Sequence, residues 1–104
     1  GEKDDYTALS WFEQAASYGY LNSVYNLGLL YDPAVKLEVD DEILDSAAQA
    51  YYWYSLAGRL GDEAAAGDAE NVGQTLSSSQ RQQIDSDVAA WRALPPVRAA
   101  NPGL

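Results

Sequence analysis

The sequence of 104 residues contains no cysteine and no histidine. These absences exclude thiol nucleophiles, serine–histidine–aspartate relays and zinc sites built from cysteine and histidine. Sixteen acidic residues produce carboxylate pairs by chance, so such pairs do not by themselves indicate a glycosidase. We therefore expect a protein that is not an enzyme and that carries no cofactor.

Basic residues are scarce as well. The sequence has six basic and sixteen acidic residues, which gives a net charge of −10. They are scattered without a basic stripe, which argues against binding to nucleic acid or to an anionic membrane surface. Residues 1–50 hold ten acids and two bases, a balance of −8, and residues 51–104 hold six acids and four bases, a balance of −2. The first half would attract a basic partner; the alternative is an acidic surface that only keeps the protein soluble.

Long apolar runs are also absent. No segment approaches the roughly 18–20 apolar residues that cross a bilayer, so we expect no direct membrane insertion. No secretory signal pattern is present either.

What the sequence does contain is an internal repeat, in which two aromatic-rich stretches align at one offset of 42 residues, from Trp11 to Trp53. Five positions match: Ala8 with Ala50, Trp11 with Trp53, Phe12 with Tyr54, Ala15 with Ala57, and Gly19 with Gly61. Self-similarity at such a period is typical of stacked helical repeats. We therefore predict that both tryptophans pack in the core and do not stack on sugars.

Apolar residues recur at helical spacing in five segments. The predicted helices cover residues 4–19, 20–32, 45–61, 62–76 and 77–94. Asp4 or Asp5 is predicted to cap the first helix and Asp45 or Ser46 the third, because short polar side chains accept the free N–H groups of a helix start.

Three further positions refine these helices. Ser77, followed by Gln80, predicts a capping box at the fifth helix. Gly19 and Gly61 are predicted to end helices with positive φ. Gly28 lies in the middle of a helix at a cost of about 1 kcal/mol relative to alanine, which indicates close approach of another helix.

Residues 34–44 alternate apolar and charged side chains. A single strand is not stable alone, so we predict a loop whose apolar side chains pack against the neighbouring helices. Four acids gather in this region, at Asp40, Asp41, Glu42 and Asp45. They lack the alternation and central glycine of a calcium-binding loop, and we expect solvated acids and no metal.

The repeated stretches resemble the Sel-one-like repeats, relatives of the tetratricopeptide repeats. The motif A-x-x-W-[FY]-x-x-A-[AG]-x-x-G occupies residues 8–19 and again 50–61, and N-L-G-x-L-Y occupies residues 26–31. The resemblance covers roughly residues 4–75. It implies an all-α, right-handed α–α superhelix of about five helices, with its core at Ala8, Trp11, Phe12, Ala15, Leu27, Gly28, Ala50, Trp53, Tyr54 and Ala57.

The resemblance also implies a domain organisation. Residues 1–94 are expected to form an array fragment (half a repeat, one full repeat and a C-terminal capping helix), and residues 95–104 a disordered Pro-rich tail. The C-terminal part is similar to the end of the alphaproteobacterial polar organelle development proteins. That similarity implies a periplasmic interaction domain at the end of a larger, membrane-anchored localisation or signalling protein.

The function that we expect is binding of another protein, with a peptide or a helix held in a groove. Eleven of the twelve aromatic residues precede residue 55, and tyrosine is enriched at interfaces. The predicted contact residues are Tyr20, Tyr25, Tyr31, Asp40 and Asp41. The alternative for the tyrosines is packing against neighbouring repeats. A peptidoglycan-binding module and a purely structural end-cap remain as alternative functions.

Overall fold

The computed structural model describes residues 7–95, and this part of the chain is predominantly α-helical. Its helices are α1 (Ala8–Ser17), α2 (Leu21–Tyr31), α3 (Ala47–Arg59), α4 (Glu63–Gly73) and α5 (Ser78–Ala90). The predicted all-α class is thereby confirmed. Among the described helices, none has the length and apolar character needed to cross a membrane. The predicted disordered tail, apart from Pro95, falls outside the described residues.

Side-chain caps define where four of the helices begin. Each capping oxygen accepts a hydrogen bond from the backbone N–H three residues later; the caps are Thr7, Ser46, Asp62 and Ser77. The predicted capping box of Ser77 with Gln80 is confirmed. The predicted cap of α1 is wrong, because Thr7 caps this helix in place of Asp4 or Asp5, which lie outside the described residues. Thr7 has extended backbone, and its hydroxyl accepts from the N–H of Ser10.

Two glycines end helices in the predicted way. Gly19 follows α1 with a φ of 83°, and Gly61 follows α3 with a φ of 119°, a conformation that costs glycine little. The chain therefore turns back sharply after each of these helices. Consecutive helices pack on one another, α1 on α2, α2 on α3 and α3 on α4, and α5 returns to pack on α3.

Helix α3 is the centre of the core because it contacts α2, α4 and α5. Its buried residues are Ala50, Tyr51, Tyr54, Leu56 and Ala57. They meet Val24, Leu27 and Leu30 from α2, Ala65, Ala69 and Val72 from α4, and Val88 from α5.

Three of the predicted core positions lie outside this core, and one of them, Ala15, is half-buried. Trp11 is 55% exposed, and Ala8 is also exposed. The prediction that they are core residues is therefore wrong for the fold of residues 7–95. The reason is that α1 packs chiefly against α2, and Trp11 lies on the exposed side of α1. Phe12 and Trp53 are half-buried against the core.

The segment 34–44, predicted to be a loop, contains a short antiparallel hairpin. Strand β1 (Glu38–Val39) pairs with β2 (Glu42–Ile43). Asp40 and Asp41 form the connecting turn with φ values of 51° and 66°. Positive φ at both central residues is what a two-residue turn of type I′ requires, and aspartate tolerates this conformation.

The apolar side chains of this segment do not all pack inward as predicted. Val39 is buried, but Val35, Leu37 and Ile43 are exposed. A polar contact anchors the hairpin in addition to the buried Val39 and the half-buried Leu44. The carboxylate of Asp40 accepts hydrogen bonds from the backbone N–H groups of Ala8 (3.1 Å) and Leu9 (3.2 Å). It thereby satisfies two free donors at the positive end of α1.

Gly28 of α2 packs closely against Tyr54 of α3, as its position in mid-helix predicts. A Cβ atom at Gly28 would lie 2.5 Å from Cδ1 and 2.6 Å from Cε1 of Tyr54. The Tyr54 side chain is only 1% exposed, so its ring has no room to move aside.

We expect Gly28→Ala to destabilise the protein by about 1–2 kcal/mol. Overpacking of a tight core costs about 1–3 kcal/mol, which outweighs the gain of about 1 kcal/mol in helix propensity. Gly67→Ala in α4 is the matched control, because a Cβ atom at Gly67 would have no neighbouring atom within 4 Å. This control should raise stability by about 0.5–1 kcal/mol. Urea unfolding of both variants decides, and an equal gain in both would contradict the packing argument.

We expect Asp40→Asn to lower the free energy of unfolding by about 1 kcal/mol, because an amide offers one oxygen where two N–H groups need acceptors and it removes the charge at the helix start. Asp41→Asn is the control: Asp41 has the same positive φ, and asparagine tolerates that backbone. Urea unfolding should leave this control within a few tenths of a kcal/mol of the natural protein. Equal losses in the two variants would show that the turn itself, and not the cap, is affected.

Candidate binding groove

An open groove of about 360 Å³ lies between the end of α2, the start of α3 and one side of α4. This volume is at the small end of the range for ligand sites. Its walls are partly apolar and partly polar. The apolar surface comes from Pro33, Ala34, Ala47 and Val72, and the polar groups are those of Asp32, Asp68, Asn71 and Thr75. The groove thus combines apolar walls with two carboxylates.

Asp32 lies at the point where α2 ends. The following proline cannot continue the helix, and Asp32 has an extended backbone conformation. One of its carboxylate oxygens accepts from the backbone N–H of Ala34 (2.9 Å), and the other accepts from the hydroxyl of Tyr54 (2.8 Å). Both hydrogen bonds hold the carboxylate in one orientation at the groove.

Asp68 faces the groove from α4. Its carboxylate accepts a hydrogen bond from the hydroxyl of Tyr25 on α2 (3.0 Å). The rings of Tyr25 and Tyr54 pack against each other with centroids 5.6 Å apart and a tilt of 46°. Three helices therefore contribute to one unit, in which two packed tyrosines each donate to a carboxylate that lines the groove.

The hydroxyl protons of these tyrosines are strongly held. Burial raises the pKa of Tyr54 far above its ordinary value, and the hydrogen bond to Asp32 raises it further. Burial and the hydrogen bond to Asp68 likewise raise the pKa of Tyr25. Both phenols therefore remain donors over the physiological range. No lysine or arginine is among the residues that line the groove.

The predicted contact residues do not form one site in the described structure. Tyr20 is 61% exposed, with its ring 6.2 Å from that of Tyr18. Tyr25 is half-buried against Tyr54, and Tyr31 is half-buried against the core. Asp40 is engaged at the start of α1, and Asp41 lies exposed at the tip of the hairpin. Only Tyr25 reaches the groove, through its hydrogen bond to Asp68.

Sequence reasoning missed Asp32 and Asp68 as site residues. Asp32 had a local signal, but its position before proline indicated only the end of a helix. Asp68 had none, because Tyr25 is 43 positions away from it along the chain and no motif links them. Within residues 7–95, no group of three or more acidic residues is placed to hold a metal ion.

No family model, curated protein or solved structure matches the chain. The resemblance to Sel-one-like repeats therefore rests on the sequence motif alone and stays a prediction.

We expect stability to fall as the pH rises above about 10, with Tyr54 contributing to the fall. A phenol whose pKa is raised by folding stabilises the protein fully below the unfolded pKa near 10, and this contribution is lost at higher pH. Tyr54→Phe should make the slope of stability against pH shallower above pH 10, by up to about 1.4 kcal/mol per pH unit. Urea unfolding between pH 8 and 11 measures both slopes, and parallel curves would contradict the assignment.

Proposed function

We propose that this protein is a non-enzymatic scaffold that binds another protein, built as a right-handed α–α superhelix of Sel-one-like repeats. The observation that carries the proposal is the open groove between α2 and α4, two helices that both pack on α3. In helical arrays of this kind, neighbouring repeats stack in one direction and leave an extended face for a peptide or a helix. The groove has the apolar walls and fixed polar groups that such a segment needs.

The arrangement of α5 supports the part of the proposal that concerns the array's end. Only Val88 of this helix is fully buried, and most of its other residues are exposed. Arg59 of α3 donates to the backbone carbonyls of Val88 (2.7 Å) and Trp91 (3.0 Å). A terminal helix of an array needs one side that packs on the core and a polar outer face that is exposed to solvent.

The same proposal includes a periplasmic location and a place at the end of a larger membrane-anchored localisation or signalling protein. Both of these parts rest on the sequence resemblance alone. The two alternatives make different predictions. A peptidoglycan module would bind cell-wall fragments, although the acidic groove disfavours their carboxylate-bearing peptides. A purely structural end-cap would bind no partner.

A photocrosslinker placed at Thr75, which lines the groove, tests the scaffold proposal. We expect it to capture a defined protein from a periplasmic extract. The same crosslinker at Gln82, an exposed position on α5, is the matched control and should not capture that protein. Because the net charge is −10, capture should weaken as salt rises.

Three outcomes would contradict the scaffold. Saturating NMR shifts with soluble peptidoglycan fragments, clustered on one face, would make the protein a cell-wall reader. Equal capture at both positions, or capture of no protein at all, would leave the structural end-cap as the better account.

A further inference from the structure

We infer that the groove between α2, α3 and α4 accepts an arginine side chain of the partner protein. This inference rests on the proposed scaffold function and adds the chemistry of the contact. It places the guanidinium between Asp32 and Asp68 and the methylene stem along the apolar walls of the groove.

The charge of the groove is the first argument. Asp32 and Asp68 are both half-buried, and the groove's lining contains no cation. Tyrosine hydroxyls orient the two carboxylates but do not neutralise them. A carboxylate pair that is partly removed from water favours an incoming cation, because such charges are costly to leave unpaired.

The other described basic residues are not placed to fill this role. Arg59 donates to carbonyl groups at the end of α5, and Arg81 forms an ion pair with Glu70 at 3.1 Å. Lys36 is exposed in the turn that follows α2 and is not among the residues that line the groove. Arg92 donates to two backbone carbonyl groups at the end of α5. A cation that fills the groove would therefore come from outside the described part of the chain.

The shape of the groove favours arginine over a compact ammonium group. Pro33, Ala34 and Val72 provide apolar surface along which a methylene stem can lie, with the charged head at the carboxylates. A planar guanidinium offers five donors, and around it lie two carboxylates together with the polar side chains of Asn71 and Thr75. A fork of donors can use several of these acceptors at once, whereas an ammonium group is a point charge.

The groove is also held in place before any partner binds. The Tyr54 ring is packed against Gly28 and its hydroxyl holds Asp32, while Tyr25 holds Asp68 from the neighbouring helix. Each carboxylate has about four acceptor positions, so the tyrosine bonds leave room for a ligand. Little ordering entropy then remains to be lost on binding.

The test is an NMR titration of the labelled protein with N-acetyl-arginine methylamide, and with the citrulline analogue, which has nearly the same shape and no charge. We expect the arginine probe to move the amide signals of Ala34, Ala47 and Thr75 in a saturable way. The citrulline probe should bind at least about five-fold more weakly, because it lacks the charge-assisted hydrogen bonds.

Asp68→Asn is the decisive variant, because the amide oxygen can still accept from Tyr25 while the charge is removed. We expect it to weaken arginine binding about five- to ten-fold. Glu63→Gln is the matched control: it removes one charge from the same helix at an exposed position outside the groove lining, and it should change binding less than two-fold. Melting temperatures of both variants confirm that the fold is retained.

The inference is overturned if the arginine and citrulline probes bind alike, if shifts spread over the acidic surface without saturating, or if the two variants lose affinity equally. Its failure is separable from failure of the scaffold proposal. Crosslinked capture at Thr75 that persists in Asp68→Asn, together with a silent arginine titration, would remove the arginine site and leave the scaffold standing. Absence of capture would count against the scaffold itself.

Discussion

The contact between the ring of Tyr54 and the bare backbone of Gly28 sets the spacing of α2 and α3, and most of the structure depends on it. A side chain at Gly28 would push the helices apart or displace the ring, because interiors are too densely packed to absorb even one methyl group without strain. In this position the Tyr54 hydroxyl reaches Asp32 at the end of α2, and its ring supports Tyr25. The core packing and the geometry of the groove therefore have the same origin.

Several acids of this strongly acidic chain have structural roles. Three of them, Asp32, Asp68 and Asp85, each accept a hydrogen bond from the hydroxyl of a tyrosine on another helix. Asp40 and Asp62 satisfy the free N–H groups at the starts of α1 and α4. The net charge alone gives no indication of this division, because a carboxylate that is held by donors and one that is simply solvated contribute equally to it. The two carboxylates of the groove combine fixed geometry with partial burial, and no cation lies among the residues that line it.

The hairpin and Trp11 show where local patterns reach their limit. Asp40 and Asp41 lack the Asn-Gly signature of a two-residue turn, so the alternation around them indicated only an extended segment. The role of Asp40 in capping α1 depends on a contact with a residue 32 positions away in the sequence. The repeat predicted equal roles for Trp11 and Trp53, but the helices that carry them have different neighbours in the part of the chain that the structure describes. Helix α3 has neighbours on several sides, whereas α1 packs chiefly on α2.

The sequence by itself determined the five helices, most of their caps and the close approach at Gly28, because caps, glycine turns and apolar periodicity act over a few residues. It also indicated the repeat and excluded thiol and histidine chemistry. Only the tertiary structure decided which tyrosines are buried, which acids they hold and where a groove opens. Those features join residues far apart in the chain, as Tyr25 and Asp68 are, and the spacing of α2, α3 and α4 that brings them together follows from packing and not from any local pattern.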